Sequence, residues 1–180
     1  MTNNTKYEMT NEIKISKNRA TLHRICALKD IGDDIKAGEL GGWIENEENL
    51  SIEGNCWVFS NACVFDGACI SDNARILGDA EIAGDAKISG NAEISGNVKI
   101  SDNARVSGDA LISGNAEIYN DAYIYGYAEI SGNAKVSGNA HICDDAHIYD
   151  DVCVFGNAYV SGNAEIAGDA EISGDAEISG

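Results

Sequence analysis

The chain has 180 residues, with no proline, 20 glycines and a formal net charge of −18. This length allows one domain with a small cap, and the charge excludes nucleic acid and anionic membranes as direct partners, because both repel an acidic surface. No apolar stretch is long enough to span a membrane. The six cysteines show no CxxC spacing, and this pattern favours reduced thiols in a cytoplasmic protein. We therefore expect a basic protein partner, no cofactor and no metal.

The first 50 residues do not repeat. Residues 1–10 are polar and are expected to fray, whereas residues 12–16 and 20–28 alternate apolar with polar side chains and predict two strands joined by a turn. Trp43 is predicted to be the hydrophobic anchor of this region. An open parallel coil exposes unpaired backbone groups, so residues 1–50 are predicted to form a small β-rich cap over the coil that follows.

Residues 51–180 consist of one six-residue unit repeated without a gap. From Ile52 to Ile178 every sixth residue is Ile or Val, which gives 22 positions without a slip. Ala stands two residues before 18 of them, as one face of a strand requires, and Gly followed by Asn or Asp suits a sharp corner. Three units for each coil predict a triangular prism of about seven coils, in which residues 18 apart stack on one another.

The unit Ile-x-Gly-Asn-Ala-x resembles the hexapeptide repeat of left-handed parallel β-helices, known from acyltransferases and γ-class carbonic anhydrases. The segment from Ala27-Leu28-Lys29-Asp30-Ile31 through Leu40-Gly41-Gly42-Trp43-Ile44-Glu45 to Asn49-Leu50-Ser51 resembles the start of the YdcK-like hexapeptide-repeat proteins of bacteria and their phages. The resemblance implies an all-β, left-handed parallel β-helix over residues 51–180. Acyltransferases of this kind trimerise, carry a loop thrown out from one coil and use a histidine in a cleft between subunits.

Aromatic and acidic side chains interrupt the Ser, Glu, Lys and Ala that fill most outward positions. Aromatic anchors within a charged rim are typical of protein-binding surfaces. The predicted partner-binding residues are Asp144, Asp145, Asp150, Asp151, Tyr123, Tyr125, His141 and Tyr159. Two alternatives stay open: stacked aromatic rings also stabilise a strand ladder, and the aspartates match the slot of solvated Gly-Asn corners.

Two further predictions concern assembly and metals. The apolar residues Ile172, Ala176 and Ile178 are predicted to join two chains end to end around a two-fold axis. His141 and His147 stand six residues apart and hence on different faces of a prism, so together they do not bind one metal within a subunit.

Residues 51–180 carry no inserted loop, and no histidine has an evident partner base or nucleophile, so the sequence predicts a protein that is not an enzyme. The prism alone carries 5 basic and 21 acidic groups. We interpret it as an acidic, DNA-mimicking inhibitor from a phage or mobile element, anti-CRISPR-like, that blocks a basic nucleic-acid enzyme such as a CRISPR nuclease. The alternatives are a hexapeptide-repeat acyltransferase-like protein and a purely structural β-helix that assembles.

Overall fold

A computed structural model describes residues 5–180 as a left-handed parallel β-helix with a β-rich cap, which confirms the predicted fold. The cap contains the strands β1 (Tyr7–Ile15), β2 (Thr21–Ala27) and β3 (Leu40–Ile44) and a 3-10 helix, Glu47–Asn49. β1 begins inside the segment expected to fray, because the Tyr7 side chain is buried; residues 1–4 lie outside the described part of the chain.

Short strands, each repeated 18 residues later, build three flat faces that we number in chain order. Face 1 comprises β4 (Trp57–Val58), β7 (Arg75–Ile76), β10 (Glu93–Ile94), β13 (Leu111–Ile112), β16 (Glu129–Ile130), β19 (His147–Ile148) and β22 (Glu165–Ile166). Face 2 comprises β5 (Cys63–Val64), β8 (Glu81–Ile82), β11 (Lys99–Ile100), β14 (Glu117–Ile118), β17 (Lys135–Val136), β20 (Cys153–Val154) and β23 (Glu171–Ile172). Face 3 comprises β6 (Cys69–Ile70), β9 (Lys87–Ile88), β12 (Arg105–Val106), β15 (Tyr123–Ile124), β18 (His141–Ile142), β21 (Tyr159–Ser161) and β24 (Glu177–Ser179).

The interior is a column of the repeated apolar pair. Between Cys56 and Val160 every inward position is at most 1% exposed. Neighbouring strands of a face pair in parallel and in register, so that Ile94 lies beside Ile112 and Ile100 beside Ile118. Because every coil presents the same side chains to the next, one packing solution repeats along the prism.

The corners of the triangle are stabilised by left-handed backbone and by ladders of amides. Gly132 is representative, with a φ of +71°, a region that glycine adopts without steric cost. At the following position asparagine side chains bond along the prism, as where Asn115 Nδ2 donates to Asn133 Oδ1 at 2.9 Å. A shift by one residue breaks these ladders, so the corners fix the register together with the core.

The cap joins the prism directly. β3 pairs in parallel with β5, which adds a rung ahead of the repeat and brings the helix to about eight turns instead of about seven. Tyr7 packs edge-on against Trp57 with centroids 6.3 Å apart, and its hydroxyl donates to the Leu50 carbonyl at 2.8 Å. Trp43, the predicted anchor, is only half-buried and contacts cations, so Tyr7 and Trp57 anchor the cap instead.

Of the residues predicted to join two chains, Ile172 and Ile178 lie in the last strand of face 2 and of face 3, and Ala176 directly precedes β24. Ile172 in β23 is 8% exposed, while Ala176 and Ile178 pack against the core with part of their surface exposed. Within the described residues, no helix has the length and apolar character needed to cross a membrane.

Candidate functional site

Four rings meet on face 3, and we call them the tyrosine platform: Tyr123, Tyr125, His141 and Tyr159. Parallel pairing sets Tyr123 beside His141 and His141 beside Tyr159, with ring centroids 5.7 and 5.9 Å apart. The 18-residue spacing in the sequence predicted this column. Its role as a binding surface stays a prediction.

Hydrogen bonds fix the phenol ends of the platform. The hydroxyl oxygens of Tyr125 and Tyr159 lie 3.1 Å apart, and the buried Cys143 thiol donates to the Tyr159 hydroxyl at 3.3 Å. Burial, followed by hydrogen bonding to Cys143 and Tyr159, raises the pKa of Tyr125 above its usual range. The pKa of Tyr159 is raised as well, mainly by its hydrogen bond with Cys143, so the phenols of Tyr125 and Tyr159 are uncharged at physiological pH.

The four predicted aspartates occupy two different corners. Asp144 and Asp145 follow β18 and border the tyrosine platform, whereas Asp150 and Asp151 follow β19 at the far side of face 1. The structure therefore brings only the first pair next to the rings.

Each corner also uses its aspartates to hold the next coil. Asp144 and Asp150 have φ values of +59° and +63°, and each accepts a hydrogen bond at 3.1 Å from the backbone N–H of a glycine one coil further on. Asp151 accepts from the side chain of Asn133 at 2.8 Å. Three of the four carboxylates thus stabilise the corners, and their role in partner binding stays a prediction.

A histidine and a carboxylate meet on face 1. Glu129 and His147 pair in register on β16 and β19, and His147 Nδ1 lies 3.4 Å from Glu129 Oε2. His141 lies on face 3, so the two histidines are on different faces, as predicted. Both members of the pair are accessible, with side chains 42% and 50% exposed for His147 and Glu129. The sequence analysis missed this pair, although its 18-residue spacing was the available signal.

A shallow groove of about 190 Å³ runs along face 1 and ends at Glu129. Leu111 lines it together with the serines Ser95, Ser113 and Ser131, and Glu93 lies at its other end. A carboxylate next to an imidazole orients the ring, and leaves its second nitrogen, Nε2, to exchange a proton with a bound group. A contact of 3.4 Å is long for a hydrogen bond, and such contacts tighten when substrate binds.

The residues described contain no group of three or more His, Cys, Asp or Glu side chains arranged to hold a metal ion, and their six cysteines form no disulfide.

Parallel strands, a hexapeptide unit and three flat faces define a hexapeptide-repeat β-helix. Residues 68–171, more than half of the chain, match the bactofilin family, which is described as polymer-forming and cytoskeletal. The chain belongs to the bactofilin family.

Two other proteins share part of the sequence or the fold. The chain is 46% identical over 44 residues to the uncharacterized acetyltransferase YdcK of Escherichia coli strain K12, a match that covers 24% of this chain and 13% of that relative. The crystal structure of a candidate acetyltransferase from Bacillus cereus superposes with a TM-score of 0.56 at 16% identity, covering 71% of this chain and 74% of the other. At that identity the second likeness shows the fold alone.

These relatives correct one expectation. The sequence was interpreted as that of a protein without enzymatic activity, and this prediction is wrong because the curated relative that shares the repeat is described as an acetyltransferase. The comparisons give no support to a DNA-mimicking inhibitor.

Proposed function

We propose that the chain is a hexapeptide-repeat acyltransferase in which His147 is the general base and Glu129 is the residue that positions it. The observation that carries the proposal is the 3.4 Å contact between His147 Nδ1 and Glu129 Oε2 at the end of the face 1 groove. The description of the relative YdcK as an acetyltransferase supports an acetyl thioester as the donor.

The proposed reaction moves one acyl group and one proton. The acceptor hydroxyl or amine binds in the groove with its proton directed at His147 Nε2, and its oxygen or nitrogen attacks the thioester carbonyl. A bond forms between the acceptor atom and the acyl carbon, the carbon–sulfur bond breaks, and the thiolate leaves. His147 takes the acceptor proton and passes it to the thiolate, while Glu129 stabilises the imidazolium in between.

Acetyl-coenzyme A and a panel of small amine and hydroxyl acceptors test this function. Release of free coenzyme A is measured by chromatography, because the partly exposed thiols of Cys26, Cys69 and Cys153 would also react with thiol reagents. We expect acceptor-dependent turnover that falls about 100-fold or more in His147→Gln, as loss of a general base predicts. The matched control His141→Gln, on face 3, keeps the wild-type rate. Wild-type protein that never exceeds the uncatalysed rate with any acceptor overturns the proposal.

Self-association is a second candidate function. The description of the bactofilin family as polymer-forming supports it, and so do the partly exposed apolar side chains of Ala176 and Ile178 next to the core. We propose contact between two copies through the coils that contain Ile172, Ala176 and Ile178, with backbone groups of one chain pairing with those of the other.

Sedimentation of the full chain tests the assembly. We expect a mass above the 19.0 kDa of one chain at micromolar concentration, and a return to one chain in Ile178→Asp, because a charge is costly in a dry contact. Ile13→Asp is the matched control, since this isoleucine is exposed on the cap at the other end of the molecule. Wild-type protein that sediments as a single chain at every concentration excludes the assembly without bearing on acyl transfer.

A further inference from the structure

The tyrosine platform interrupts an otherwise polar face. The outward column of face 3 runs from Arg105 through Tyr123, His141 and Tyr159 to Glu177, one residue from each successive coil. Tyr125 leans across the column, with its ring 4.7 Å from that of Tyr123. The rings contact one another, so ordering them for a partner costs little side-chain entropy.

Part of this aromatic surface faces outward. Tyr159 is 39% exposed, and Tyr127, at the adjoining corner, is 62% exposed. The phenol oxygens of Tyr125 and Tyr159 bond to each other, so these two rings can contact a partner without a hydrogen bond from it. Such a surface binds flat groups by stacking.

Carboxylates border the rings on two sides. Glu177 follows Tyr159 in the same column, and Asp144 and Asp145 form the corner beside the platform. Asp145 is exposed, whereas one oxygen of Asp144 is engaged with the N–H of Gly162. Aromatic faces together with carboxylates attract a planar cation. A guanidinium fits better than an ammonium, because it stacks on a ring and bonds a carboxylate with two N–H groups at once.

We propose that the tyrosine platform is a docking surface for an arginine-bearing segment of a partner protein. Guanidinium groups stack on Tyr159 and Tyr123, and Glu177 and Asp145 accept their hydrogen bonds. The rings of the platform lie on face 3 and the Glu129–His147 pair lies on face 1, so substitutions can test the two proposals separately.

Two labelled peptides that differ only in arginine or lysine test the proposal by fluorescence anisotropy with the full chain. If binding depended on acidic charge alone, the two peptides would bind equally tightly, whereas stacking on the rings favours the arginine peptide. We expect the arginine peptide to bind about tenfold more tightly, as two cation–π contacts predict, and this preference to disappear in the double variant Tyr123→Ser/Tyr159→Ser. Tyr149→Ser, which removes an exposed tyrosine that follows β19 of face 1, is the matched control and keeps the preference.

Charge variants distinguish the contributions of the two acidic corners to peptide binding. Asp145→Asn is expected to weaken arginine-peptide binding, while Asp151→Asn, at the corner distant from the platform, leaves it unchanged at matched salt. Equal affinity for the two peptides, or an arginine preference that survives loss of both tyrosines, overturns the proposal. His147→Gln is expected to bind the peptide normally, which keeps this result separate from the result for acyl transfer.

Discussion

Glu129 and His147 lie one coil apart on face 1, with His147 Nδ1 3.4 Å from Glu129 Oε2. In a parallel β-helix whose coils repeat every 18 residues, any two outward residues with that spacing become neighbours. A flat face therefore gains a paired base and carboxylate without a loop or an insertion. The geometry needs no departure from the repeat, which explains why the site does not interrupt the pattern of the sequence.

The left-handed corners give a matched pair of glycine substitutions. Gly132 and Gly168 both have a φ of +71°, but a Cβ at Gly132 meets backbone atoms of Asp150 at 2.6 Å, and one at Gly168 meets nothing within 4 Å. We expect Gly168→Ala to cost about 1 kcal/mol of unfolding free energy from φ alone, and Gly132→Ala about 3 kcal/mol because the clash adds to it. Urea unfolding measures both, and equal losses contradict the steric account.

Aspartate at the same corner is expected to be tolerated better than alanine. Asp72 has a φ of +58° at the equivalent slot, and its carboxylate accepts a hydrogen bond at 3.0 Å from the N–H of Gly90 in the next coil. Gly132→Asp gains the corresponding bond to Asp150, so we expect it to be about 1 kcal/mol more stable than Gly132→Ala in the same urea measurement. A variant less stable than Gly132→Ala contradicts this assignment.

The buried interior column predicts that truncating an inward side chain costs much more unfolding free energy than truncating an outward one on the preceding strand of the chain. Ile118 is fully buried, whereas Leu111 points outward from face 1 and is 44% exposed. Ile118→Ala removes packed atoms and leaves a cavity, for which we expect a loss of about 2–5 kcal/mol of unfolding free energy. Leu111→Ala is expected to cost less than about 1 kcal/mol. If denaturant titrations give similar losses of unfolding free energy for the two variants, the result argues against a dry interior.

Asn49 connects the cap to the first coils through four hydrogen bonds. Its buried side-chain oxygen accepts the N–H groups of Glu45 and Asn46 at 3.1 and 2.9 Å, and its amide donates to the carbonyls of Asp66 and Ala68 at 3.0 and 2.8 Å. Asn49→Asp places a carboxylate against those two carbonyls, so we expect a loss of about 3 kcal/mol.

Thermal unfolding measures the effect of Asn49→Asp as a fall of about 6–12 °C in Tm for a chain of this size. Asn97→Asp is the control, because the Asn97 amide donates only along the exposed corner ladder. An unchanged Tm for Asn49→Asp means that the cap does not depend on this residue.

The repeat specified the fold and the columns of outward residues, because each hexad advances the chain by one face. The stacking of Tyr123, His141 and Tyr159 followed from that spacing alone. The rung added by β3 did not, since Leu40–Ile44 is not a hexad and joins the prism only through backbone pairing with β5. The division of Asp144 and Asp150 between two corners was implicit in their six-residue separation, while their hydrogen bonds to the next coil depend on a φ that sequence does not reveal.

A double-mutant cycle on the Glu129–His147 pair tests the central claim most directly. The acceptor-dependent release of coenzyme A is measured for wild type, Glu129→Gln, His147→Gln and the double variant, with circular dichroism to verify the fold. We predict a loss in kcat of about 100-fold for His147→Gln, at least about tenfold for Glu129→Gln, and no further loss in the double variant, because Glu129 acts only through His147. Losses that multiply, or a Glu129→Gln variant with the wild-type kcat, contradict the account.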